Sequence, residues 1–388
     1  MIHLMVNVYK RALQKSIENA FFSGKALIVV GPRQVGKTTL CKAILKKQSI
    51  AGKTILELNG DNPTDREKLT NKDQTFLIRL ADTFDIIFID EGQKVTTIGQ
   101  TLKILVDHYG DKKQILVTGS SSFNLLNMTT EPLTGRKRVF YLYPLSFGEL
   151  LSQKNRLDIQ KELDEFLIYG LYPDVVNKTS FPEKTASVQE LAQSALYKDI
   201  LEFQLVKSSE TLTNLLIALA LQVGSEVSYT EIASLLSIDK NTVERYVDLL
   251  EKNFVIFRLP PYFTNKRKEI SKMKKIYFMD VGIRNALIGN FSPLHTRSDK
   301  GALWENLMIV ERIKYNAYRG VSPRYTFWRT RSGSEVDFIE EYAGALDGYE
   351  MKSGMPKKSH APLPWKEYPK STFSLITPDS YDEFLGLA

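Results

Sequence analysis

The sequence predicts an α/β fold that opens with a parallel sheet built around a phosphate-cradling loop. A helical stretch follows, and the chain ends in a second, smaller α/β part. Three observations carry this expectation. The string Gly31-Pro-Arg-Gln-Val-Gly-Lys37-Thr38 fits the spacing G-x-x-x-x-G-K-[ST], between an apolar strand-like run and a helix-like run. A second apolar run, Asp85-Ile-Ile-Phe-Ile-Asp90-Glu91, ends in two adjacent carboxylates. Near the C-terminus, short β-type segments carry Asp337, Glu350 and Lys352.

The first element is Ala26-Leu-Ile-Val-Val30, apolar throughout, as a buried strand requires. Thr39-Leu-Cys-Lys-Ala-Ile-Leu45 reads as the helix after the loop. Gly31 and Gly36 permit backbone conformations and close approaches that a Cβ would block. Loop N–H groups and the helix N-terminus attract phosphate. The expected nucleotide-binding set is therefore Gly31, Pro32, Arg33, Gln34, Val35, Gly36, Lys37, Thr38 and Thr39. Lys37 is expected at the β- and γ-phosphates, and the Thr38 hydroxyl at Mg²⁺. ATP and Mg²⁺ are the cofactors implied.

Thr54-Ile-Leu-Glu-Leu-Asn59 is a further strand between the two motifs, an insertion that points to an additional-strand sheet. At the end of the next strand Asp90 is the expected Mg²⁺ ligand, through water. Glu91 is placed to orient or deprotonate the attacking water, which favours hydrolysis over a nucleotide switch. Gln114-Ile-Leu-Val-Thr118-Gly119-Ser120 is the neighbouring strand. Thr118 or Ser120 would sit near the γ-phosphate; the choice stays open, and Ser120 joins the nucleotide-binding set. Arg136, before the strand Val139-Phe-Tyr-Leu-Tyr143, is the candidate arginine finger, acting in cis or from a neighbouring subunit.

These runs, GPRQVGKTTL, FIDEGQKV, VTGSSSFNLL and LTGRKRVFYLYPLSFGEL, resemble a family of prokaryotic AAA+-type P-loop ATPases. The family's second motif usually reads IDEAQ, and here Gly92 replaces the alanine. Leu167-Ile-Tyr-Gly-Leu-Tyr-Pro-Asp174 is similar to the family's YGGYP segment, so the likeness spans most of the chain. It implies a P-loop additional-strand (AAA+-like) parallel sheet of about five strands, with a helical lid after Pro144.

Residues 159–167 and 188–196 show the helical periodicity of such a lid. Three more helix-like runs then lead into the strand Phe254-Val-Ile-Phe-Arg-Leu259, the order of a winged helix-turn-helix. Its third helix would expose Lys240, Asn241, Thr242 and Arg245 to a major groove. The wing would carry Lys266, Arg267, Lys268, Lys272, Lys274 and Lys275 against phosphates. A protein-contact role for the same module stays open.

Farther on, Gly301-Ala-Leu-Trp-Glu305 begins an amphipathic helix. Strands are expected at 324–329, 334–339 and 348–352, the last two joined across Glu-Glu-Tyr-Ala-Gly-Ala-Leu-Asp. Asp337, followed after twelve intervening residues by Glu350-x-Lys352, resembles the core of the PD-(D/E)XK nucleases, a restriction-endonuclease-like fold. That resemblance implies a divalent metal on Asp337 and Glu350, with Lys352 and Glu305 beside it. An active nuclease and a relic balanced by Lys352 both stay open.

The expected domains are a P-loop core at 1–145, a lid at 146–205, a winged helix at 206–275 and a nuclease-like domain at 276–388. A length of 388 residues accommodates several domains. A single cysteine, Cys41, leaves no intrachain disulfide, and with no signal-like start the expected location is the cytoplasm. No apolar run approaches the roughly eighteen residues of a membrane helix. Net charge is +7, a mild bias toward a polyanionic partner such as DNA. A homo-oligomer is expected if the arginine acts across an interface.

Overall fold

The computed structural model describes residues 9–120, 133–201, 208–265, 273–330, 332–354, 362, 365 and 367–387. They fall into two compact units. One comprises Lys10–Pro144 with Lys252–Phe254; the other takes the chain from Leu145 onward.

The Lys10–Pro144 unit is a five-stranded parallel sheet in the order β2-β3-β4-β1-β5. The strands are β1 (Ala26–Val30), β2 (Ile55–Asn59), β3 (Ile86–Asp90), β4 (Gln114–Gly119) and β5 (Lys137–Tyr141). Every residue of β1 and β4 is buried, as in a strand covered on both faces. Placing β4 between β1 and β3 separates the loop strand from the acidic strand. The helices are α1 (Leu13–Glu18), α2 (Lys37–Ile50), α3 (Pro63–Leu69), α4 (Gln74–Ala81) and α5 (Ile98–Tyr109). Asn62 caps α3 through the Thr64 and Asp65 N–H groups, with Pro63 at the first turn. Ile28, Ile87, Ile89, Leu102 and Val117 belong to the core of this unit.

The second unit begins with α6 (Phe147–Leu150), α7 (Arg156–Lys161), α8 (Leu163–Tyr169), α9 (Pro173–Val176) and α10 (Phe181–Leu201). Then come α11 (Ser209–Leu221), β6 (Glu226–Val227), α12 (Tyr229–Leu235), α13 (Lys240–Lys252), β7 (Ile256–Leu259) and β8 (Lys274–Phe278). These strands form an antiparallel sheet in the order β6-β8-β7. The expected domain limit at residue 275 falls within β8.

After α14 (Val281–Leu287) and α15 (Lys300–Tyr318) comes a four-stranded sheet, β12-β11-β10-β9. Its strands are β9 (Arg324–Arg329), β10 (Glu335–Tyr342), β11 (Ala345–Met351) and β12 (Ser371–Ile376); β12 runs parallel to β11 and the other pairs are antiparallel. A short helix, α16 (Tyr381–Phe384), closes the chain. The expected eight-residue connection between β10 and β11 is mostly strand. Only Ala343 and Gly344 turn, both with positive φ, the signature of a two-residue hairpin loop.

The expected lid is not a separate body. Buried polar groups of the later elements bind its backbone within the same unit. Asn285 Nδ2 donates to the Leu167 and Ile168 carbonyls at 3.0 and 2.8 Å. Asp280 accepts from the Leu171 N–H at 2.7 Å, and Glu311 from the Phe147 N–H at 2.7 Å. Lys314 donates to the Leu145 carbonyl at 2.9 Å and to Glu311 at 2.7 Å. Gly170 is required here, because a Cβ would lie 2.0 Å from the Asp280 carboxylate. Among the described residues, no helix is long and apolar enough to cross a membrane.

Candidate functional site

The C-terminal edge of the parallel sheet gathers the nucleotide-site candidates. Gly31, Pro32, Arg33, Gln34, Val35 and Gly36 join β1 to α2, which starts at Lys37. A Cβ on Gly31 would meet the Leu142 carbonyl at 2.0 Å, so glycine alone fits between loop and β5 exit. Gly36 turns the chain into α2 with φ +93, and Gln34 is also left-handed. The buried Lys37 ammonium donates to the Gly31 and Pro32 carbonyls at 2.9 and 2.8 Å, across the loop. Thr39 follows on an exposed face of α2.

Thr38 and Asp90 meet directly. The Thr38 hydroxyl lies 3.0 Å from both carboxylate oxygens of Asp90, which ends β3. Thr118, on the adjacent strand β4, donates to Asp90 and accepts from the Glu91 N–H at 3.1 Å. Of the two strand-end candidates, Thr118 touches the acidic pair and Ser120 reaches it through Gln93. Gln93 Nε2 donates to the Glu91 carboxylate and to Ser120 Oγ. Glu91 has φ 50, a left-handed backbone that non-glycine residues rarely adopt. Gly60 packs against that turn, since a Cβ there would lie 2.3 Å from the Glu91 carbonyl. Behind the loop, burial pushes the Cys41 thiol up, with Asp90 adding to the effect, so this cysteine is a packing residue.

The residues fit a Mg-nucleotide. A left-handed glycine, a lysine laid over loop carbonyls and a hydroxyl against a carboxylate converge on one sheet edge. Arg11 also belongs here, although sequence reasoning did not find it. Its guanidinium donates to the Val35 and Tyr143 carbonyls, bracing the loop against the exit of β5. Those partners lie 24 and 132 residues away, so no local pattern announced it. Gln93 had a local signal, its place two residues after Glu91.

Arg136, expected to act in cis or from a neighbouring subunit, lies away from the phosphate loop. Its carbonyl accepts from the Ala26 N–H at 2.9 Å, at the start of β1, and its side chain pairs with Asp107. β5 runs parallel to β1, so a residue that precedes β5 lies at the edge opposite the loop. Five strand residues at about 3.3 Å each place it roughly 16 Å from the phosphate loop. Arg136 does not reach the nucleotide site of its own chain.

The second carboxylate set lies in the other unit. The register Phe338↔Tyr349 sets Asp337 opposite Glu350. A shift of register between Val336 and Ile339 re-aims Asp337, whose carboxylate accepts from the Met351 N–H at 2.8 Å. Glu350 pairs with Lys352 at 2.8 Å. A buried cation among the other carboxylates is Lys275, expected above on a phosphate-binding wing; Arg329 also meets Glu335, at 3.8 Å. Lys275 is buried on β8, with Nζ at 2.6 Å from Glu335, 3.2 Å from Glu305 and 3.9 Å from Asp337. Tyr277, two residues along β8, donates to Glu305. Burial alone would lower the Lys275 ammonium, but Glu305, Asp337 and Glu335 hold it above its ordinary value. Burial, reinforced by Glu305, pushes Asp337 up to about 7 against the pull of Lys275. Among the described residues, no group of three or more His, Cys, Asp or Glu side chains is arranged to hold a metal ion.

On α13, Lys240, Asn241 and Arg245 are exposed, together with Glu244. Thr242 is committed to the helix start, bonded to Asp239 by both its N–H and its hydroxyl. Lys274 is half-buried. Lys266, Arg267, Lys268 and Lys272 lie outside the described residues.

Residues 23–151 match the family model described as an AAA domain. The chain therefore carries a P-loop domain of AAA type, built on the five-stranded parallel sheet above. Residues 160–294 and 300–370 match two further models, each described as a domain of unknown function. An uncharacterized protein of Mycobacterium tuberculosis is 26% identical over 349 residues, covering 89% of this chain and 74% of the relative. One from Haemophilus influenzae is 26% identical over 362 residues, covering 86% and 84%. Among solved structures, the replication initiator DnaA bound to AMPPCP and single-stranded DNA is 17% identical, with TM-score 0.33, over 64% of this chain and 90% of that one. A Pif1 helicase from Candida albicans is 12% identical, with TM-score 0.29, over 48% of each chain. Scores this low leave the AAA assignment to the family match and the strand order.

Proposed function

We propose that this protein is a Mg²⁺-dependent ATPase whose nucleotide state acts on a C-terminal half that contacts DNA. The observation that carries the ATPase reading is Thr38 against Asp90 at 3.0 Å, with Glu91 next in the chain. In this reading Lys37 meets the β- and γ-phosphates, and Thr38 and Asp90 hold the metal, which neutralises phosphate charge. Glu91 orients and deprotonates the attacking water.

Residues 209–278 support a winged-helix reading, with three helices and an antiparallel β6-β8-β7 sheet. Helix α15, the β9-β10-β11 meander and a parallel β12 support a nuclease-like reading. Lys275 among Glu305, Glu335 and Asp337 favours a version of that fold that binds without cutting, since an ammonium already offsets these carboxylates. DNA contact would use Lys240, Asn241 and Arg245 of α13. One observation favours a second reading, a switch that contacts proteins: Lys275 and Arg258 are engaged in ion pairs, and Glu244 shares the exposed face of α13. The remote Arg136 fits a homo-oligomer in which it serves the site of a neighbouring copy.

The test is phosphate release from Mg-ATP with and without duplex DNA, across a salt series. Turnover that rises with DNA, with an effect that falls steeply as salt increases, supports the leading reading. Turnover indifferent to DNA supports the protein switch. Absence of turnover in every condition refutes the ATPase.

A further inference from the structure

We infer that Gln93 is a second water-positioning residue of the nucleotide site, working beside Glu91. The inference rests on the ATPase reading above. Gln93 sits in the short turn that follows β3 and is 9% exposed. Its Nε2 donates to the Glu91 carboxylate and, at 2.8 Å, to Ser120 Oγ. A carboxylate only accepts hydrogen bonds, so Glu91 dictates which end of the amide faces it. The other end, Oε1, is buried and has no hydrogen-bond partner among the described residues.

A buried acceptor without a donor opposes folding, and native chains rarely keep one without a use. Its missing partner must be a donor. A phosphate oxygen only accepts, so the orphan is not a contact for the phosphates of ATP. Water has two hydrogens. One directed at Glu91 and one at Gln93 Oε1 leave a lone pair free to face the γ-phosphorus. The new bond forms from that water oxygen to phosphorus, the bond from phosphorus to the ADP oxygen breaks, and the proton leaves on Glu91. The left-handed turn at Glu91 keeps the two side chains on one short arc. Ser120 holds the second Nε2 hydrogen, so the amide cannot rotate freely.

The experiment compares wild type, Gln93→Met and Gln93→Glu in full-length protein, measuring Mg-ATP affinity by calorimetry and kcat by phosphate release. Gln93→Met keeps the shape and removes the acceptor together with the Nε2 donor to Glu91 and Ser120. Affinity within threefold of wild type with kcat down at least tenfold is the expected result. Gln93→Glu restores an acceptor beside Glu91 but makes two carboxylates share the site. The acid limb of its kcat–pH profile should move up by a pH unit or more, which a purely structural role would not produce. Unchanged kcat in Gln93→Met overturns the inference, as does loss of affinity and kcat in equal measure. If Gln93→Met fails to fold, an unshifted profile in Gln93→Glu overturns it. No phosphate release from wild type overturns the ATPase reading, and this inference with it.

Discussion

Replacing Asp337 by asparagine should stabilise the second unit at alkaline pH and do little at acid pH. Three carboxylates, Glu305, Glu335 and Asp337, surround one buried ammonium, that of Lys275. Glu335 also meets Arg329 at 3.8 Å, whereas Asp337 is the most distant of the three from Lys275, at 3.9 Å. Its carboxyl is pushed from 3.8 up to about 7, chiefly by burial and further by the Glu305 charge. A folded-state value above the unfolded one contributes stability that is complete below the unfolded value and disappears as pH rises through the folded value. For Asp337 that window runs from about 4 to about 7. At about 1.4 kcal/mol per pH unit, the loss is on the order of 4 kcal/mol at most. Asn cannot ionise, and its Oδ1 can still accept from the Met351 N–H. The difference between Asp337→Asn and wild type should be near zero at pH 4 and grow to several kcal/mol by pH 8. Urea unfolding followed by tryptophan fluorescence is suited to this test, because all three tryptophans, Trp304, Trp328 and Trp365, lie in this unit. A difference that does not vary with pH, or a variant less stable at pH 8, would refute the charge arithmetic.

Gly31→Ala places a Cβ at 2.0 Å from the Leu142 carbonyl, so it should displace the phosphate loop and weaken Mg-ATP binding at least tenfold; calorimetry reads this directly. Lys37→Ala removes the ammonium proposed to meet the phosphates and should weaken binding strongly as well, whereas equal affinity in wild type and variant would remove Lys37 from the site. Arg136→Ala breaks an exposed pair with Asp107 and a long hydrogen bond to the Thr134 carbonyl, so it should change stability by less than about 1 kcal/mol. If it also slows phosphate release, mixing it with Glu91→Gln protein should restore activity through the chain of a neighbour.

The local parts of this architecture were legible in the sequence. A run such as Ala-Leu-Ile-Val-Val followed by the glycine loop can form little else, and the paired carboxylates of Asp90 and Glu91 announced their strand end. Relations between distant segments were not legible. Arg136 precedes the last strand of a parallel sheet, and only the strand direction reveals that it faces the wrong edge. Lys275 sits within a run of six basic residues among ten, 266–275, and composition could not show that it turns inward. Alternation along β8 does so, because Lys275 and Tyr277 share the face that meets Glu305. Arg11 and the orphaned Gln93 carbonyl likewise emerge only when segments far apart in sequence are brought together.

The central claim is hydrolysis at the edge where Thr38, Asp90 and Glu91 meet. Its most direct test is steady-state phosphate release by wild type and Glu91→Gln, with Mg-ATP affinity measured on both. The amide keeps the size of the side chain and removes the base, and such a base contributes on the order of 10²–10⁴ in rate. Affinity retained and turnover lowered at least tenfold is the outcome this account requires. Equal turnover in the two proteins would contradict it.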